Sequence, residues 1–532
     1  MRGLYALWVI TFMIAFMVLT SPGQAHRGPR PQELIRGLQT PFLKYYSGDG
    51  DGGLAHITYW TMTTDSPTYQ GLEPEEQVKV AKIQANQLHS ALFQPAQLVA
   101  GYEAIGILRR SVRRQQITLK LPDEWNGRLV VCGTPSFRNE YASEAVLVPW
   151  LLSAGYAVIS GDKGMPNGLP DMLSGAHPSQ HWGIMMLDMA GFARHAIAKA
   201  TGREVRRIYA MGLSNGGYQV RRALEIDHGR HRWGLRLVFD GGVDWSGTYF
   251  ADARALDSDG DGRVSVAEYF QAGTLVATSD QATLAMGWAH SHDTLTNPEA
   301  FAMVPPFAPA LEAMTAVGFT PESAVIWGYY NSNFDIYGGI WRGVGYYNLL
   351  SYAYRAELLG DDDAAAAAYS CFSDPQSPDT RPPLYDYLTR AVNGGWTPES
   401  VRWALKNANT GRFSVPLITL HGLADGLLGF DAHAAPYRQA VESYGRAHLH
   451  RLYAVENAGH VDAHADGHAD FDFDGTPGEE GVADRLTPMQ AYAQRAFEYL
   501  IDWVENDIPA PGSTIIATDP VNDATDPNEL AW

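Results

Sequence analysis

Ser214 stands at the centre of Gly212-Leu213-Ser214-Asn215-Gly216, between an apolar run at 207–213 and a helix-forming stretch at 219–225. A serine on so tight a strand-to-helix turn has its hydroxyl raised above the sheet edge, where it can attack a carbonyl carbon. The flanking glycines suit a turn in which a Cβ would clash. A hydroxyl is too weak an acid to attack unaided, so the chemistry needs a base and a group to orient that base. Two later segments supply both types. An apolar run at 415–420 ends in His421-Gly422-Leu423-Ala424-Asp425, and a second at 449–455 ends in Glu456-Asn457-Ala458-Gly459-His460.

The chain order is therefore Ser, Asp, His, each just past the end of a predicted strand. That order and placement belong to α/β-hydrolases. In this reading His460 takes the Ser214 proton, and Asp425 fixes one imidazole tautomer and stabilises the imidazolium. Asp431 competes for the acid role but lies deeper in the connection. His464 and His468 compete for the base role but sit in an acidic loop, whereas His460 closes the turn. His421 reads as a structural histidine at a strand end. One oxyanion donor is expected from the Asn215 N–H. The second is expected from the loop after an early strand, at Gly133-Thr134-Pro135. There Gly133 allows close backbone approach, the Thr134 N–H can donate, and Pro135 has no N–H to give.

The elements that must position these residues alternate. Strand-like segments occur at 116–121, 129–133, 156–160, 207–213 and 235–240, with helical stretches at 143–153 and 182–201 between them. Such alternation predicts a mostly parallel sheet. Residues 26–125 are the least legible, with one helical stretch at 75–92. After residue 245 the pattern is lost until 415, far too long a gap for an ordinary connection. The expected organisation is a signal peptide at 1–25, a first core half at 26–245, and an inserted lid at 246–412. A second core half at 413–508 and a flexible tail at 509–532 complete it.

The insertion carries its own chemistry. Asp257-Ser258-Asp259-Gly260-Asp261-Gly262-Arg263-Val264-Ser265-Val266-Ala267-Glu268 matches a twelve-residue calcium loop. Asp257, Asp259 and Asp261 fill positions 1, 3 and 5, and glycine makes the turn at 6. The Arg263 carbonyl can ligate at 7, Ser265 at 9 directly or through water, and Glu268 bidentately at 12. A single loop suggests a structural Ca2+. A second acidic start at 470–475 lacks the closing glutamate and reads either as an irregular calcium site or as a solvated loop. Aromatic residues crowd 327–354, as lid core or as the wall of an acyl pocket.

Composition bounds the partners. A chain of 532 residues with 45% hydrophobic and 18% charged residues can bury a full core. Its net charge of −20 argues against nucleic acid or an anionic membrane surface. The apolar run at 4–19, broken by Ser21-Pro22 and followed by Gly23-Gln24-Ala25, predicts a cleaved export signal and no stable membrane partner, with an uncleaved anchor as the alternative. With only Cys132 and Cys371, disulfides do not carry the fold.

Trp125-Asn126-Gly127-Arg128-Leu129, Ala154-Gly155-Tyr156-Ala157-Val158 followed by Gly161-Asp162, the serine turn and His421-Gly422-x-x-Asp425 resemble the tannase and feruloyl esterase family. The resemblance spans both core halves and implies exported serine esterases acting on esters of hydroxylated aromatic acids, with a large calcium-binding lid. One departure is plain: that family typically pairs cysteines beside its serine and histidine, and here Leu213 precedes Ser214 and Val461 follows His460. The layout is also similar to 3-hydroxybutyrate oligomer hydrolases. The expectation is a serine carboxylic ester hydrolase working through an acyl-enzyme on small or oligomeric, aromatic or polyester-derived esters, with no organic cofactor. The alternatives are an oligomer hydrolase, a serine peptidase of the same fold, and a calcium-dependent adhesion protein with an inactive core.

Overall fold

The computed structural model describes residues 30–48, 53–60, 62–84, 98–135, 138–166, 179–249, 408–423, 425, 428, 430–462, 487–519 and 530. The expected signal peptide, the calcium loop, the aromatic stretch at 327–354, His464, His468 and the acidic start at 470–475 lie outside them.

Ten strands form one sheet: β1 (Leu38–Tyr46), β2 (Gly101–Leu108), β3 (Gln116–Pro122), β4 (Arg128–Gly133), β5 (Ala157–Gly161), β6 (Arg207–Leu213), β7 (Gly241–Trp245), β8 (Leu417–Gly422), β9 (His450–Val455) and β10 (Thr514–Ile516). Their order is β1-β2-β3-β5-β4-β6-β7-β8-β9-β10. The pairings β1–β2, β2–β3 and β3–β5 are antiparallel, and every pairing from β5 to β10 is parallel. This is the α/β-hydrolase topology, with strands added at both edges. β5, β7 and β8 are buried along their whole length, as parallel strands covered on both faces must be.

The helices used below are α1 (Pro74–Gln84), α2 (Val148–Ser153), α3 (Ser179–Thr201), α4 (Asn215–Arg232), α5 (Phe430–Ser443) and α6 (Gln490–Glu505). The two glycines of β7 show which helix covers which face. A side chain at Gly242 would strike Val220 and Leu224 of α4, and one at Gly241 would strike Leu500 and Val504 of α6. The Arg128 guanidinium grips Glu505 bidentately at 2.6 and 2.7 Å, tying α6 to the start of β4. Among the described residues no helix is long and apolar enough to cross a membrane.

Several sequence expectations shift. The segment 235–240 is not a strand: Val238 and Phe239 N–H groups donate to Asp227 Oδ2, and the ladder position belongs to β7. Residues beside the expected lid boundaries at 246 and 412 bond to the core. Ser246 N–H donates to the Leu420 carbonyl at 2.7 Å, and the Thr410 and Gly411 N–H groups both reach Glu225 Oε1 at 2.8 Å. Within the segment expected to be a flexible tail, residues 511–516 bond to the core. β-Branched Thr514-Ile515-Ile516 extends the sheet beside β9, and Tyr453 OH donates to the Pro511 carbonyl. Cys132 is buried in β4 and has no disulfide partner among the described residues.

The antiparallel edge holds a cluster of buried charges. Lys79 Nζ meets Glu103 Oε2 at 2.5 Å, Lys120 Nζ meets Glu144 Oε1 at 2.5 Å, and His56 and Thr118 also reach Glu103. Burial alone would raise the Glu103 pKa, but Lys79, His56 and Lys120 together hold it well below the usual carboxylate range. Paired in this way, the charges avoid most of the penalty that an isolated buried ion carries.

Candidate active site

β6, β8 and β9 end on the same sheet edge, and each delivers one of the sequence-predicted residues. Ser214 follows β6 with φ 61° and ψ −125°. A non-glycine residue held at positive φ costs on the order of 1–3 kcal/mol and persists only where its surroundings fix it. Here they do. Ser214 N–H donates to the Trp245 carbonyl at 2.9 Å, and the Ser214 carbonyl accepts from Tyr218 at 3.1 Å and Thr248 at 3.3 Å. The side chain is 8% exposed.

Asp425 lies past the end of β8 and His460 past the end of β9, each 5% exposed. His460 Nδ1 stands 2.7 Å from Asp425 Oδ2, while Leu428 N–H donates to Asp425 Oδ1 at 2.8 Å. Burial alone would raise the Asp425 pKa. The charge and hydrogen bond of His460, then His421 and the Leu428 N–H, outweigh it and hold the carboxyl below its ordinary value. Asp425 is therefore ionised at neutral pH and favours the His460 tautomer with Nδ1 protonated, which leaves Nε2 with a free lone pair. His421 Nε2 lies 3.7 Å from the same carboxylate but bonds to the Leu428 carbonyl at 2.6 Å. Burial lowers its pKa. It braces the turn, as the sequence predicts for a strand-end histidine.

The residues expected to form an oxyanion hole fall in two places. Asn215 opens α4, so its N–H lies at the positive end of that helix. Thr134 N–H is already committed: it donates to Gln219 Oε1 at 2.7 Å, and Thr134 Oγ1 bonds to the Gly161 carbonyl. Gly133 packs against Gly216, where any Cβ would fall under 3.0 Å from backbone. Its missing side chain serves the strand–helix approach more directly than a ligand.

Sequence reasoning missed the braces beneath these residues. Asp244, in β7, accepts from Arg221 of α4 at 2.9 Å, from Thr419 Oγ1 of β8 at 2.5 Å and from Gly247 N–H at 3.0 Å. One carboxylate thus ties the serine helix to the acid strand. The Arg221 guanidinium also lies 4.2 Å from the centre of the Tyr437 ring of α5. A single sequence offers no sign of this, because an arginine seven residues into a helix reads as surface.

No protein-family model matches the chain, and no curated protein does. Solved structures do. Feruloyl esterase B from Aspergillus oryzae is 11% identical over 78% of this chain and 83% of its own, with a TM-score of 0.42. Tannin acyl hydrolase from Aspergillus niger is 12% identical over 90% and 87%, at 0.41. An esterase from Aspergillus oryzae is 13% identical over 88% and 86%, at 0.39. Likeness of this degree bears on no individual residue of the site.

Proposed function

We propose that this chain is a serine carboxylic ester hydrolase in which Ser214, His460 and Asp425 act as nucleophile, base and orienting acid. The observation that carries the reading is the 2.7 Å His460–Asp425 bond at the sheet edge where Ser214 holds its positive φ. Ser214 Oγ attacks the ester carbonyl as His460 takes its proton, and the Asn215 N–H stabilises the oxyanion. His460 then protonates the leaving alcohol, and water, activated by the same imidazole, releases the acid. For Thr134 N–H to serve as second donor, the Gln219 carboxamide must swing off it. The proposed substrates are esters of hydroxylated aromatic acids, met outside the cell after export by the segment at 1–25.

A panel of p-nitrophenyl acetate, p-nitrophenyl butyrate, methyl ferulate, methyl gallate and a 3-hydroxybutyrate oligomer tests this. The expected result is turnover of the panel with methyl ferulate or methyl gallate preferred. Preference for the oligomer would replace the aromatic reading with the hydroxyalkanoate one. If no ester turns over, a peptide panel follows, and hydrolysis of peptides alone would replace both.

The proposed lid ligand set, Asp257, Asp259, Asp261, the Arg263 carbonyl, Ser265 and Glu268, is all oxygen, as Ca2+ requires. An ion held only by the folded chain adds stability. Chelation is therefore expected to lower Tm by about 5 °C. Ca2+ should restore it and Mg2+, which demands a tighter octahedron, should not. An unchanged Tm under chelator would remove calcium from the reading.

A further inference from the structure

At the pole of the sheet opposite Ser214, where β6, β7 and β8 begin, lies a cavity of about 690 Å³. Ser214 is roughly 20 Å away along β6. The volume falls in the range of small-ligand sites, about 300–1,000 Å³. Much of the wall is apolar, with Phe239, Val415, Pro416 and Val504 among its residues.

The charge is the unusual part. Four arginines, Arg194, Arg206, Arg207 and Arg236, line the cavity of a chain whose net charge is −20. Asp240 accounts for one of them: it accepts from Arg207 Nη1 at 2.9 Å and spends its other oxygen on the Ile208 N–H. Arg206 donates to the Asn126 carbonyl, which carries no countercharge. Arg194 and Arg236 are exposed and have no carboxylate partner among the described residues. Asp507 is the one other carboxylate in the lining. Helix electrostatics accounts for Arg230, His231 and Arg232, which end α4 where a cation complements the dipole. It does not account for Arg194, in the middle of α3, or for Arg206 and Arg236, in loops.

We propose that this cavity binds a small organic carboxylate with an apolar or aromatic body. A guanidinium matches a carboxylate with two parallel hydrogen bonds, and the Phe239–Val504 wall receives the body. The site is independent of the catalytic reading and stands whether or not Ser214 is a nucleophile.

Isothermal titration of the full chain with benzoate, benzamide and inorganic phosphate tests it, alongside Arg194→Gln/Arg236→Gln. Both arginines are exposed, so the double variant should keep its Tm; Arg236→Gln alone serves if it does not. Benzoate is expected to bind and to weaken at least about tenfold in the variant, the loss expected for hydrogen bonds to a charged group. Uncharged benzamide should bind at least as weakly as benzoate does to the variant. Benzoate binding equally well to native and variant chains would place it elsewhere, the Ser214 edge included, and overturn the proposal. So would no binding of benzoate, or phosphate binding as tightly as benzoate, since an anion without an apolar body would then suffice.

Discussion

Ser214→Ala and His460→Ala are each expected to lower kcat on the preferred ester by about a millionfold, and Asp425→Asn by about ten-thousandfold. The difference follows from the roles. Without the serine there is nothing to acylate, and without the imidazole the hydroxyl keeps its proton. Losing only the Asp425 charge leaves both in place but frees the imidazole to take the wrong tautomer. The double variant Ser214→Ala/His460→Ala should be no worse than either single one, because residues that act as a unit are lost as a unit. His421 provides the internal comparison. It faces the same carboxylate at 3.7 Å but spends its Nε2 on the Leu428 carbonyl, so a folded His421→Gln chain should retain most of its turnover. Steady-state rates on one ester, with Tm recorded for every variant, decide it. A folded His421→Gln chain as slow as His460→Ala would show that the wrong histidine had been assigned as base.

The parts of this arrangement that were legible in the sequence are those where one strong local signal coincides with burial. β8 and β9 are short apolar runs, and each predicted acid or base stood just beyond one. β7 was displaced, for a physical reason. Leu235-Arg236-Leu237-Val238-Phe239 looks like a strand, whereas the true strand begins Gly241-Gly242 and has no strand signature. Those glycines are present because α4 and α6 press on its two faces. The edge strands β1 and β2 were unread because their neighbourhood is charged: Lys79, Glu103 and Lys120 look like surface residues until their partners are seen. The commitment of Thr134 N–H to Gln219 was equally hidden, since it joins a backbone group to a side chain 85 positions away. Helices α5 and α6 went unassigned, although α5 packs on β8 and β9, the strands that lead to Asp425 and His460, and α6 packs on β7 and β8. A lone turn residue such as Asp425 can be weighed from sequence, but the brace from Asp244 to Arg221 and Thr419 exists only after the strands are ordered.

Two glycine-to-alanine changes in α4, thirteen positions apart, are expected to have opposite signs. Alanine is the better helix former by about 1 kcal/mol. At Gly229 a methyl would meet nothing within 4 Å, so Gly229→Ala should raise stability by roughly 0.5–1 kcal/mol and leave turnover unchanged. At Gly216 the methyl would fall under 3.0 Å from the Gly133 carbonyl oxygen and 3.1 Å from the Thr134 nitrogen. Both are backbone atoms where β4 ends and its loop begins, so no side chain can swing aside. The end of β4 and the start of α4 must separate. Overpacking of this kind costs about 1–3 kcal/mol or more, beyond what the helix preference returns. The same displacement moves the Asn215 N–H and the Thr134–Gln219 bond relative to Ser214. A shift of about 1 Å at a reacting centre can cost on the order of a hundredfold in rate. Gly216→Ala should therefore lower both Tm and kcat/KM, the second by about that factor. Melting curves and ester rates on the two variants separate the effects. If Gly216→Ala instead gained stability and kept its rate, as Gly229→Ala is expected to, the close approach of α4 to β4 would not be what requires glycine in the turn after Ser214.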